Sequence, residues 1–202
     1  MHRTAMKRVA GFFTAAFLIM APVFAMASTW NIDPEHTNVG FKVRHLMVSN
    51  VKGGFGKVSG VVNVDDRDIT KSSTTVTIDT TSIDTGVAKR DAHLKSPDFL
   101  DVAKYPTMTF VSTGVMKGSG GAFKLAGNLT LHGVTRPVVL QVEGLSGEIK
   151  DPMGNVRRGA SATTTINRKD YGLVWNKMLE AGGVAVGDEV TINIEVEMVK
   201  AK

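Results

Sequence analysis

Between Asn38 and Leu46 the chain alternates. Val39, Phe41, Val43 and His45 fall on one face, and Lys42 and Arg44 on the other. A period of two specifies a strand with one buried side. The pattern recurs down the chain after a short segment at Thr29–Ile32. Phe55–Val64 carries Val58, Val62 and Val64 on one face together with Gly60, where a strand glycine marks a bend or bulge. Ser73–Asp79, Thr107–Lys117, Ala122–Leu131, Val138–Ile149, Arg158–Asn167 and Glu189–Val199 complete eight substantial strands. Turns are expected at Asp33-Pro34-Glu35, Gly53-Gly54, Gly118–Gly121, His132–Arg136 and Asp151–Asn155.

There is no internal repeat and no βαβ rhythm, and the connections are too short for parallel crossovers, so the fold class is all-β and antiparallel. Two architectures satisfy the pattern, a sandwich and an up-and-down barrel. Strands of ten residues reach roughly 33 Å, long for a small sandwich and natural for a tilted barrel. Thr85–Thr113 interrupts the strands. Val87–Lys95, free of proline, has room for two helical turns, and Ser96-Pro97-Asp98 reads as a helix start. Pro106 then returns the chain to strand. Arg168–Gly187 is a second irregular stretch, long enough for a loop at a barrel mouth. Many strand positions are Val, Thr, Ala, Ser or Gly, which suits either a hollow interior or a filled one.

The first 27 residues have the three parts of an export signal: Arg3, Lys7 and Arg8, then the apolar run Val9–Phe24, then Ala25-Met26-Ala27 as a small-x-small cleavage site. Removing them lowers the net charge from +5 to +2 and leaves residues 28–202 as one domain. No Lys/Arg cluster points to nucleic acid. Cysteine is absent, so neither disulfides nor thiolate metal sites contribute.

Asp33-Pro34-Glu35-His36-Thr37, Val39–His45, Gly53-Gly54-Phe55, Lys89–Leu94 with Ser96–Phe99, Tyr105-Pro106, Asn128–Pro137, Asn167–Gly172 and Val186-Gly187-Asp188 occur in that order. Taken together, from Trp30 to Val199, the set closely resembles the YceI family of exported polyisoprenoid-binding proteins. The resemblance implies an extended, eight-stranded, lipocalin-like barrel with a short helical insertion, and an apolar bore that takes an isoprenoid chain such as a polyprenyl phosphate or an isoprenoid quinone. It also implies a non-enzymatic carrier or storage role in the periplasm, without a cofactor, and a homodimer; transient contact with a membrane or lipid donor is expected of such a carrier.

On that reading, Val39, Phe41, Val43, Phe55, Phe99, Phe110 and Leu129 are the candidate lining, with ordinary core packing as the alternative for each. His45, Arg90 and His93 are the candidate polar ligand contacts. On a helix Arg90 and His93 share a face and offer donors to a lipid head; equally, Arg90 and Asp91 serve to fix the insertion to a strand. His36, His45, His93 and His132 raise an alternative, a metal-binding or hydrolytic envelope protein, but their spacing matches no metal motif. Neither a nucleophile elbow nor a His-Glu-x-x-His helix occurs, so no residue is a candidate for catalysis.

Overall fold

The computed structural model describes residues 27–180 and 182–202. The export-signal reading falls outside them, save for Ala27. Twelve strands form: β1 (Ser28–Ile32), β2 (Asn38–His45), β3 (Ser49–Phe55), β4 (Val58–Val64), β5 (Ser73–Asp79), β6 (Ile83–Asp84), β7 (Thr107–Lys117), β8 (Phe123–Leu131), β9 (Val134–Leu145), β10 (Ile149–Lys150), β11 (Val156–Asn167) and β12 (Val186–Lys200). Several are segments of one longer strand. β1 and β2 both pair antiparallel with β12, and β3 and β4 both run antiparallel to that composite strand. β6 prolongs β5 along β3, and β10 prolongs β9 along β11. The result is eight wall strands, each paired with its neighbour in sequence, and β12 closes the ring against β1 and β2. It is a closed antiparallel barrel, so the sandwich is excluded.

Connections alternate between two ends. One end holds the turn at 46–48, the helical insertion at 85–106, the hairpin at 132–133 and the irregular stretch at 168–185. Both irregular segments therefore cover the same mouth. The opposite end holds the connections at 65–72, 118–122 and 151–155.

Three local expectations are corrected. Gly53 and Gly54 do not turn the chain; they lie inside β3. The turn is made instead by Leu46 and Met47 at φ 48° and 60°, which carry no glycine signal. Gly53 serves close approach: a Cβ there would lie 2.6 Å from Phe41 Cζ, across the ladder. Second, the turn at His132 is only two residues long. His132 and Gly133 both have positive φ (52° and 73°), as a tight hairpin requires. Pro137 then sits within β9, where the β11 ladder has already ended at Gln141, so its missing N–H costs no hydrogen bond on that side. Third, Ser96 ends a helix and starts none. The α-helix α1 is Ala88–Lys95; Ser96 N–H and Oγ both donate to His93 O, and Pro97 follows where helix cannot continue.

Alternation sets the interior. Val39, Phe55, Val58, Ile78, Met108, Phe110, Leu129 and Ile166 are all buried in one cluster that follows the barrel axis. A second cluster, Trp30, Val64 and Met198, lies towards the end opposite α1. Trp30 is fully buried, its indole N–H donates to Ser28 Oγ at 2.8 Å, and Arg158 and Lys200 lie over its ring.

Candidate functional site

Inside the barrel is an elongated apolar cavity with a volume of ≈ 300 Å³. Along β12 it is lined by Val186, Val190, Ile192, Ile194, Val196 and Met198. Those twelve residue steps cover about 40 Å of strand, or about 30 Å along the axis at ordinary barrel tilt. That equals the thickness of a bilayer's hydrocarbon core. The volume lies at the low end for small-molecule sites. Spread over such a length, it suits an extended chain and not a fused ring system.

The void survives because aromatic side chains lie along the wall. Gly127, on the inward face of β8, is covered by the Phe110 ring; a Cβ there would sit 2.3 Å from Phe110 Cζ. Phe41 covers Gly53 in the same way. Each glycine gives its neighbour's ring a place to lie flat, where a larger residue would force it toward the axis.

All seven apolar candidates line this cavity: Val39, Phe41, Val43, Phe55, Phe99, Phe110 and Leu129. The three polar candidates lie outside the lining. His45 ends β2, opposite Ser49 and Val186. Arg90 donates from Nε to Thr85 Oγ1 (2.8 Å) and from Nη2 to Thr85 O (2.9 Å). Asp91 Oδ1 accepts from Thr85 N–H at 2.9 Å and from its hydroxyl at 2.5 Å. Together they tie α1 to the end of β6, which is the anchoring alternative. His93 Nε2 meets Asp98 Oδ2 at 2.9 Å, and its ring packs edge-on against Phe99 and Trp175, both centroids 5.0 Å away. Phe99 and Trp175 are 5.1 Å apart, so this aromatic trio joins α1 to the 168–185 segment above the bore.

The other histidines also have separate partners. His132 Nδ1 lies 3.1 Å from Tyr171 O, and its ring packs on Tyr105. His36 Nδ1 meets Asp33 Oδ2 at 2.8 Å, and Asp33 in turn has Arg157 Nη1 at 2.5 Å. Asp33, His36 and Glu197 form the one group among the described residues with metal-ligand spacing, their donor atoms within 4.8 Å of one another. A guanidinium already occupies it: Arg157 bonds Asp33, Asp151 (2.7 Å) and Glu197 (2.7 Å). Those bonds hold the Asp33 and Asp151 carboxyls down at about 2, and Asp33 raises the His36 imidazole above its usual value. The arrangement is a salt-bridge hub pinning the β1–β2 turn to β11 and β12.

Sequence reasoning named only seven of the residues that line the cavity; among those it missed is a charged one. Arg168 is 3% exposed and, among the described residues, is the one charged residue in the lining, its nitrogens turned to the carbonyls of Gly187, Leu173 and Val186. The β11 parity gives the signal: Ala160, Ala162, Thr164 and Ile166 line the bore, and residue 168 continues that face. Trp175 was also missed, since the loop that carries it has no period.

Residues 30–198 match the family model described as the YceI-like domain. The chain is 40% identical over 192 residues to Protein YceI of Salmonella newport, covering 94% of this chain and 96% of that one. Among solved structures, a Campylobacter jejuni YCEI protein aligns with a TM-score of 0.66 at 32% identity, covering 79% of this chain and 90% of that chain. A polyisoprenoid-binding domain from Saccharophagus degradans shares the fold at a TM-score of 0.60 and 17% identity, covering 87% and 99%.

Proposed function

Because the chain belongs to the YceI family, we propose that it is a non-enzymatic carrier that holds one long-chain isoprenoid lipid in its barrel, working in the periplasm as a homodimer. The observation that carries the reading is the cavity: about 30 Å long, narrow, and faced almost wholly by apolar atoms. An isoprenoid tail offers no directional partner, so its affinity comes from buried area, about 0.8 kcal/mol per methylene before ordering costs. A lipid tail of membrane-spanning length fits that demand. The polyisoprenoid-binding domain of Saccharophagus degradans, which has the same fold, supports the choice of tail. Export is supported by the three-part signal of residues 1–27, and the homodimer by the family resemblance alone.

The test is organic extraction of the purified protein followed by mass spectrometry. A long-chain isoprenoid is expected from the native protein and is expected to be lost in Phe41→Asp and Phe110→Asp variants that remain folded. Absence of any long-chain lipid from native protein, together with failure to take up an added polyprenol, would refute the carrier reading.

A further inference from the structure

The turn that joins β2 to β3 has the wrong side chains for a turn. Leu46 and Met47 are its central residues, and Val48 N–H closes it on His45 O at 3.1 Å. Both central residues have positive φ, 48° and 60°, a conformation that Asn and Gly adopt readily and a larger side chain adopts under strain. The three side chains also face water: Leu46, Met47 and Val48 are 40%, 52% and 76% exposed. Strain and apolar exposure both count against the fold, so stability does not account for these residues. A second segment extends the patch. Met178 is 77% exposed and bridges to Val184, Leu46 N–H donates to Ala185 O at 2.8 Å, and a Cβ at Gly183 would lie 3.3 Å from Met47 Cγ. The two segments form one apolar tip, of the kind that marks an interaction surface. It stands on the mouth of the bore, since Val43 and Val186 line the cavity just below Leu46 and Ala185.

Positive charge surrounds the tip. Arg44 Nη2 donates to Met47 O at 2.6 Å, which holds the guanidinium against the turn. Lys42 and Lys52 stand opposite each other on the outer face of the same hairpin, where like charges repel. Lys177 directly precedes Met178. Among the described residues none of these four is in an ion pair, whereas Lys117, Arg157, Arg158 and Lys200 toward the other end each have a carboxylate. Glu180 is the one acidic residue between Lys177 and Ala185.

We propose that this tip docks the protein, mouth first, on an anionic phospholipid bilayer. Leu46, Met47, Val48 and Met178 enter the interface, and the four cations meet lipid phosphates. Apolar side chains that reach about 5–10 Å into the headgroup boundary, with cations behind them, are what interfacial anchoring requires. Lys42 and Lys52 stand four residues behind the tip, about 13 Å of strand, and so stay within reach of headgroup charge. A second copy of the chain fits less well. Four side chains are far fewer than the roughly 20–30 residues a side of a stable interface, and a two-fold contact presses this positive patch against itself. The inference rests on the carrier reading, because a docked mouth lets a tail pass between bilayer and bore without crossing water.

The test is co-sedimentation of the purified protein with vesicles of equimolar phosphatidylcholine and phosphatidylglycerol, compared with vesicles of phosphatidylcholine alone. A basic residue near an anionic surface contributes about five-fold, so the anionic vesicles are expected to bind at least about ten-fold tighter, and added salt is expected to weaken them. Val48→Asp with Met178→Asp and, separately, Lys52→Glu with Lys177→Glu are each expected to weaken that binding by about ten-fold or more. All four side chains lie outside the cavity lining, so lipid extracted from the variants should match native, which also reports that they fold. Equal binding to both kinds of vesicle, or binding that both variants retain, would overturn the docking assignment. A native protein that yields long-chain lipid but ignores anionic vesicles also overturns it and leaves the carrier reading intact. Vesicle binding by a protein that yields no long-chain lipid and takes up no polyprenol overturns the carrier reading and supports the docking surface. If the native protein sediments as a dimer and Val48→Asp with Met178→Asp as a monomer, the tip is a contact between copies and the docking assignment fails.

Discussion

Gly127→Ala tests the idea that the bore stays open because Phe110 lies flat. The added methyl would start 2.3 Å from Phe110 Cζ, 2.5 Å from Cε2 and 2.7 Å from Val111 O. Ordinary contact begins near 3.4 Å, so the ring must move by about 1 Å, and the carbonyl contact means that turning the ring alone does not relieve the clash. Overpacking of this kind costs about 1–3 kcal/mol, or a melting-temperature drop of roughly 2–12 °C for a domain of this size. The displaced ring moves toward the axis and narrows the cavity, so bound lipid should fall with stability. Gly114→Ala is the control: it lies in the neighbouring strand, with nothing within 4 Å of its Cβ position, and its effect should stay within about 0.5 kcal/mol. Circular-dichroism melts and quantified lipid extracts measure the two effects. A Gly127→Ala protein with native melting temperature and native lipid content would refute the reasoning.

The Arg157 hub predicts a response to acid. Asp33 and Asp151 sit at about 2 in the fold against an ordinary 3.8, so the unfolded chain binds more protons between those values. Their stabilisation is present above about pH 4 and is lost as pH falls toward 2; melts across that window should be flatter in Arg157→Gln. His36 has the opposite sign: its pKa is raised by Asp33, so its contribution is complete below 6.5 and is lost as pH rises through the elevated value, a dependence that His36→Ala should remove. Asp91→Ala leaves Thr85 N–H and hydroxyl without their acceptor. It should cost about 1–3 kcal/mol and speed amide exchange across residues 88–100. Sedimentation equilibrium checks the homodimer: a protein that sediments as a monomer at tens of micromolar removes it.

The barrel was legible because two-residue alternation is a local property, and it survives in β5, β7 and β12 with little error. Glycine was harder to read. Gly53 reads as a turn residue and Gly127 as an ordinary strand position, yet the role of each is set by an aromatic ring on the next strand, a distance that sequence does not encode. Leu46 and Met47 make a turn with none of the usual residues, because the β2–β3 ladder fixes both ends and forces positive φ between them. Ser96-Pro97 shows a different ambiguity: the same pair suits the start of one helix and the end of another, and only the hydrogen bonds to His93 O decide. Arg90 and His93 stand out in the sequence because they share a helix face, a spacing that does not say whether either reaches the bore. Arg168 stands just past the end of a strand, where side-chain parity still marks the inward face although the ladder has stopped.

Strand β12 contacts β11 on one side and both β1 and β2 on the other, with Trp30 opposite Lys200. Closure thus joins residues more than 150 positions apart, an arrangement that folds slowly because the loop entropy is paid before the contacts form. Until the C-terminal strand docks, the wall is an open, twisted sheet with a greasy concave side and two unpaired edges. A nascent or truncated chain that lacks β12 is therefore expected to be unable to retain cargo and to be prone to self-association, so chaperone dependence and proteolytic loss should concentrate on that last step.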